Sequence, residues 1–343
     1  MNRNANSQSA GQMIGLINGQ QVVGLDIAKS VFQLHSVDMG TGEIVNMQLK
    51  RAKVLEYFAN HQPCLIGIEA CGGAHHWARE LQALGHSVRL IHAKAVRPFV
   101  SGNKTDATDA RAIWLAVQQP GTKFVGIKSE EQQATLVLHR QRELLMKMRV
   151  MQTNALRGLL YEFGATFGRG KNALFSEIEA ALETLLAKNS LPQYVADSLR
   201  EQVGRIKALD QDIKSIEQRL QERLKSNAQM KRIAHIPGVG LLTATAAIAT
   251  MGEASAFKSG REFCAWLGLV PRQSGTGGKV KLLGISKRGD TYLRTLLIHG
   301  ARSVLSHSKE PVPWLEQLQQ RRPTNVVIVA QAAKMARTIW AVT

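Results

Sequence analysis

Four acids stand where acids are either costly or aligned. Asp26 ends the apolar run Val22-Val23-Gly24-Leu25, and Glu69 ends Leu65-Ile66-Gly67-Ile68. Both runs read as buried strands, where a carboxylate is expensive unless something positive receives it. Asp106 and Asp109 lie three residues apart in Thr105-Asp106-Ala107-Thr108-Asp109, on one face of a helix starting near Thr105. Acids at two strand ends and on one helical turn can meet at a point, and an all-oxygen donor set suits Mg²⁺ or Mn²⁺. The chemistry implied is metal-dependent phosphodiester cleavage. Each helical acid also has a plainer reading: Asp106 complements a helix N-terminus, and Asp109 pairs with Arg111 or water. Asp26 and Glu69 resist that reading, because strand interiors seldom carry acids.

A second candidate is Ser274, in the loop Pro271-Arg272-Gln273-Ser274-Gly275-Thr276-Gly277-Gly278-Lys279. The glycines, Gly275 among them, permit close backbone approach to a ligand. Arg272 and Lys279 flank the serine, and Lys281, Lys287, Arg288 and Arg294 continue the positive strip. A serine hydroxyl needs a base or a metal to become a nucleophile. No His-Asp partner is evident nearby, so the residues alone favour a serine that contacts phosphate over one that attacks it. A third candidate is the turn Ile236-Pro237-Gly238-Val239-Gly240, which resembles a helix-hairpin-helix. There Gly238 and Gly240 would let backbone N–H groups meet phosphate oxygens without reading bases, although such a turn also serves as simple connection.

The elements that must position these residues follow from pattern. Strands are expected at 22–27, 31–37, 44–49, 64–69 and 86–92, with helices near 51–60, 75–84 and 105–118. Three consecutive strands followed by alternating helices and strands is the order of an α/β ribonuclease-H-like fold, with acids on its first strand, fourth strand and a late helix. Gln119-Pro120-Gly121 marks a boundary after the last helix. Residues 130–160 read as a long helix. Leu199, Ile206, Ile213 and Leu220 then repeat every seven residues, with Leu209 and Ile216 in a second seam, as in a coiled coil or an intramolecular helical hairpin. The expected division is a disordered tail over 1–20, an α/β metal-binding domain over 21–128, a helical coiled-coil segment over 129–228, and a mainly α domain over 229–343 that holds the hairpin turn and Ser274.

Bulk properties narrow the partners. Lys and Arg outnumber Asp and Glu by 44 to 26, a net charge of +18, which calls for a polyanion such as nucleic acid. No apolar stretch is long enough to span a bilayer and no signal-peptide pattern follows Met1, so no membrane is expected. Cys64, Cys71 and Cys264 are odd in number and lack CxxC spacing, as befits reduced thiols of a cytosolic protein. Cys71, His75 and His76 cluster only loosely and argue weakly for zinc.

The ordered set Asp26-Ile27-Ala28-Lys29, Ile68-Glu69-Ala70, Asn103-Lys104-Thr105-Asp106-x-x-Asp109, Ile236-Pro237-Gly238-Val239-Gly240 and Pro271-Arg272-Gln273-Ser274-Gly275 resembles the DEDD insertion-sequence transposases of the IS-one-ten family. The compact Arg-Gln-Ser-Gly loop resembles its IS-eleven-eleven branch. The resemblance runs from about residue 21 to the C-terminus. It implies a recombinase with a RuvC-like domain in which Asp26, Glu69, Asp106 and Asp109 hold divalent metal, and a transposase domain in which Ser274 is the nucleophile. It further implies donor and target DNA as partners, an element-encoded guide (bridge) RNA, and a homo-oligomer (dimer or tetramer) with a composite site and the helical segment as dimerising arm. The setting implied is the bacterial cytoplasm, at the nucleoid. One departure is Ala70-Cys71-Gly72-Gly73, where relatives often carry Ala-Thr-Gly. The competing readings are a RuvC-like nuclease that hydrolyses branched DNA with water, and a nucleic-acid-binding protein without catalysis.

Overall fold

The computed structural model describes residues 16–17, 20–38, 40–103, 105–308 and 313–343. The chain divides into two compact units, one ending at Glu130 and the other beginning at Glu131. Most of the stretch expected to be a tail lies outside the described residues. Its end does not: Leu16–Ile17 forms a short strand, β1.

In the first unit β1 pairs antiparallel with β2 (Gln20–Asp26), which pairs antiparallel with β3 (Val31–Val37), and β3 with β4 (Ile44–Lys50). β5 (Leu65–Glu69) runs parallel to β2, β6 (Ser87–Ile91) parallel to β5, and β7 (Phe124–Val125) antiparallel to β6. The sheet order is β4-β3-β2-β5-β6-β7. The mixed order and the strand directions are those expected of a ribonuclease-H-like sheet.

The sheet is covered on both faces. On one, Phe32, Ile66 and Ile68 pack against α1 (Val54–Ala59) and α2 (Ala74–Ala83) through Val54, Phe58, Trp77 and Leu81. On the other, after the short helix α3 (Ala93–Val96), α4 (Asp106–Gln118) lays Ile113, Trp114 and Val117 on Val22, Leu65 and Ile91. α4 comes unusually close to the strands. A Cβ at Gly24 would stand 2.2 Å from the Ala110 carbonyl oxygen, and one at Gly67 would stand 3.0 Å from Val117 Cβ. Two strand glycines thus act as the bed of the helix.

The second unit opens with α5 (Glu130–Tyr161), followed by α6 (Lys171–Ala187) and α7 (Gln193–Ser226). α5 and α7 run antiparallel, as their partners show: Glu131 with Arg223, Arg142 with Glu217, Arg149 with Asp210, and Gln152 with Gln202. All six heptad positions from Leu199 to Leu220 are buried within the chain, so that seam is not an open surface. A separate core gathers α8 (Ala228–Ala234), α9 (Leu241–Met251), α10 (Gly260–Trp266), α11 (Thr291–His307) and α13 (Thr324–Val342), with α12 (Pro313–Arg321) alongside. Between α10 and α11 the expected serine loop is instead a two-stranded antiparallel ribbon, β8 (Pro271–Thr276) and β9 (Lys279–Ile285). Its Gly277-Gly278 tip has φ of +56° and +79°, the left-handed pair that a tight two-residue hairpin requires.

Candidate active site

The acid site is built by parity and register. Side chains alternate along a strand, so Asp26 shares the face of Val22 and Gly24, and Glu69 that of Leu65 and Gly67. That is the face α4 covers. Leu25 pairs with Ile68 in the parallel β2–β5 register, which sets Asp26 and Glu69 side by side at the strand ends. Ala110 rests on Gly24, so the turn of α4 preceding it, carrying Asp106 and Asp109, extends toward the same end.

Local chemistry starts α4 where the acids need it. Thr105 caps the helix: its hydroxyl accepts from Thr108 N at 3.2 Å, while Thr105 N donates to Thr108 Oγ1 at 2.9 Å. Both aspartates lie in the first turn and also favour the helix dipole, so the plainer reading of Asp106 holds beside the chemical one. Asp26, Glu69 and Asp109 are half-buried and Asp106 is exposed. Among the described residues, no three of them are drawn to a common point at metal-ligand distance. The donor set itself is all carboxylate oxygen at the open edge of a sheet, which fits a hard divalent cation. Desolvation, together with the Glu69 and Asp26 carboxylates, pushes the thiol pKa of Cys71, two residues past Glu69, above its ordinary value.

Ser274 lies in the second unit, on the ribbon. Its cross-strand partner is Lys281, and Thr276 pairs with Lys279. Residues directly opposite share a face, so Ser274, Thr276, Lys279 and Lys281 stand together, while Arg272 lies beyond them where the register shifts between Pro271 and Gln273. The opposite face carries Gly275, Val280, Gln273 and Leu282. All of these residues are exposed. A Cβ at Gly275 would stand 2.5 Å from the Lys279 carbonyl oxygen, so this glycine serves the ribbon's own geometry.

The remaining candidates divide. Lys287 and Arg288 are exposed at the ribbon's base, where Lys287 N donates to Gly268 O at 3.1 Å. Arg294 is not part of the positive strip. It is 7% exposed and donates to the carbonyls of Leu267 and Arg288 at 2.8 and 2.7 Å, fastening that base to α11. Gly238, with φ of +83°, is pressed against α11, where a Cβ would meet Gly300 O at 2.7 Å. Gly240 begins α9 with open space beside it. Sequence reasoning missed Gly24 and Gly67, whose only signal was glycine inside an otherwise β-branched strand.

Comparison with known proteins shows the family. A family model of the DEDD transposase domain, described as "Transposase", matches residues 23–164, and one described as "Transposase IS116/IS110/IS902 family" matches residues 230–314. A Pseudomonas aeruginosa protein named "Probable family 20 transposase" is 46% identical across 93% of this chain and 95% of its own length. The chain belongs to the IS110 family of insertion-sequence transposases. The transposase for insertion sequence element IS1111A of Coxiella burnetii is 39% identical, covering 94% of this chain and 89% of its own. That for IS1328 of Yersinia enterocolitica is 36% identical, covering 94% and 96%. Membership in the IS110 family makes the chain a DNA transposase, and domains of the DEDD class use divalent metal. No helix among the described residues is long and apolar enough to cross a membrane.

Proposed function

We propose that this transposase cuts and rejoins DNA through Ser274 as nucleophile, with Asp26, Glu69, Asp106 and Asp109 holding Mg²⁺ or Mn²⁺. The observation that carries the reading is the ribbon register, which groups Lys279 and Lys281 on the serine's own face, with Arg272 two residues before it on the same strand. Those cations seat and neutralise a phosphate. Ser274 Oγ then bonds to phosphorus as the bond to one strand breaks, and the departing oxygen takes up a proton. The resulting phosphoserine ester conserves the bond energy, and the hydroxyl of another strand reverses the step without ATP. A bound divalent cation supplies Lewis-acid polarisation and offsets charge at phosphorus.

The partners in this reading are donor and target DNA and an element-encoded guide RNA. The RNA is held by backbone and shape, while base pairing reads the DNA. The net charge of +18 supports polyanionic partners. The turn between α8 and α9 acts as a helix-hairpin-helix, with Gly240 on its open side toward the DNA backbone and Gly238 fixing it to α11. A second copy meets the outer face of α5, where Val137, Leu144 and Met151 are exposed at seven-residue spacing. The protein works at the bacterial nucleoid, in the cytoplasm.

The test is incubation of the protein with element RNA, labelled donor DNA and Mg²⁺, followed by denaturing electrophoresis. A DNA-linked protein band in wild type, absent from Ser274→Ala and Asp26→Asn, is the expected result. Free cleaved DNA that persists in Ser274→Ala would sink the serine mechanism and leave a RuvC-like nuclease using water.

A further inference from the structure

The acid-bearing edge of the first unit carries a second group of residues that the acids do not explain. Trp77 on α2 is 5% exposed, and its indole Nε1 has no hydrogen-bond partner among the described residues. A buried donor left unpaired costs roughly 1–3 kcal/mol, so it calls for a reason. The ring presents the edge that carries Nε1 to the start of its own helix: Cδ1, bonded to Nε1, is the atom nearest a Cβ built on Gly73, at 3.8 Å. That start has no side-chain cap, because the N-cap position is Gly73 in the left-handed region, with φ of +86°. A 10-residue helix beginning this way directs its dipole outward, its first N–H, that of Ala74, being donated to Cys71 O at 3.3 Å.

A cation completes the group. β4 is antiparallel to β3, which places its C-terminal end beside Val31, at the same edge of the sheet as Asp26. Arg51 follows β4 there, held by its N–H to Ser30 O at 2.8 Å. Its guanidinium lies 4.9 Å from the Trp77 ring centroid and 5.9 Å from that of Phe32. β5, ending in Glu69, leads through Ala70 to Gly73 directly into α2. An uncapped helix start, a buried indole N–H and an exposed arginine therefore lie at the strand ends that carry the acid pair, on the sheet face opposite α4.

We infer that the start of α2, Trp77 Nε1 and Arg51 form a subsite for a backbone phosphate of the DNA strand, next to the one presented to Asp26 and Glu69. Helix starts accept phosphate, and an arginine supplies a planar fork that fits it. In the free protein Arg51 lies over the indole. On binding, its guanidinium moves from the ring to the phosphate, and this uncovers Nε1 as a donor. The subsite fixes the strand's position along the sheet edge without reading its bases. The inference rests on the transposase reading of the acids but not on Ser274.

The test is a titration of the full-length ¹⁵N-labelled protein with the single-stranded tetranucleotide dT4, without divalent metal, following indole N–H resonances. Trp77→Phe identifies the Trp77 signal by its loss. That signal is expected to shift saturably in wild type, and Arg51→Gln to need about tenfold more dT4, the loss of one charge-assisted hydrogen bond. Arg51 is exposed, so this variant retains the fold. A Trp77 signal that stays still while other resonances move, or an unchanged affinity in Arg51→Gln, would overturn the subsite. Neither result depends on strand transfer, so failure of the serine mechanism would be seen separately on the denaturing gel.

Discussion

At the scale of single residues, glycine decides more than charge. Gly24 lets α4 lie against β2, and a methyl group there would collide with backbone, the Ala110 oxygen at 2.2 Å, which no rotamer relieves. Gly24→Ala is expected to lose about 2–4 kcal/mol in urea unfolding and to misplace Asp106 and Asp109, the upper range for overpacking a core. Gly126→Ala, with nothing within 4 Å of its Cβ position, is the matched control and should be near neutral. Gly275 makes a different prediction. Its Cβ would strike Lys279 O at 2.5 Å, in a ribbon whose residues are exposed and belong to no core. Gly275→Ala should therefore leave the melting temperature unchanged while abolishing the DNA-linked band. The place of Asp26 and Glu69 at strand ends was legible because strand-end carboxylates are rare. The bed of glycines beneath α4 was not, because a glycine in a strand does not say what approaches it. Arg294 was misjudged for a related reason: formal charge carries no information about burial.

At the scale of elements, period made most of the first unit readable. β-branched runs marked β2, β3 and β5, and the cap residue Thr105 placed the start of α4 within a residue. The ribbon was not readable. A strand announces itself through an apolar face that packs on something, and β8 and β9 are exposed as far as Gly284, so their glycines and lysines resemble a loop. α5 shows an element held by polar contacts. His139 donates from Nε2 to Thr245 Oγ1 at 3.0 Å and accepts at Nδ1 from the Tyr292 hydroxyl at 2.9 Å, linking α5 to α9 and α11. Thr245 Oγ1 donates its own hydrogen to Leu241 O at 2.8 Å, which leaves it as acceptor from His139 and fixes this tautomer. Burial, then the Arg142 charge, lowers the His139 pKa from 6.5 to about 4. The unfolded chain therefore takes up a proton before the folded one does. The contribution is complete above the unfolded value, is lost as pH falls from about 6.5 to about 4, and is flat below that. Its size is on the order of 3 kcal/mol. His139→Gln should flatten the pH dependence of urea stability over that window by this amount, and an unaltered slope would refute the assignment.

At the scale of the molecule, the positive charge is an instrument of binding more than of folding. If Lys279 and Lys281 each neutralise a phosphate, replacing both with Gln lowers the magnitude of the slope of log K against log salt for DNA by about two. An unchanged slope would place the ribbon away from the backbone. The ribbon's isolation has a further consequence for the life of the protein. A two-stranded hairpin without cover is marginally stable and opens readily, and this one offers Arg272, Lys279 and Lys281 to any protease that prefers basic residues. A single nick there would leave the helical core on either side assembled, since neither strand contributes to it. The result would be a folded corpse: a protein of normal size and stability under native conditions, severed beside its serine. Turnover of the active form is thereby uncoupled from unfolding, and bound nucleic acid becomes the shield that decides how long each molecule remains competent.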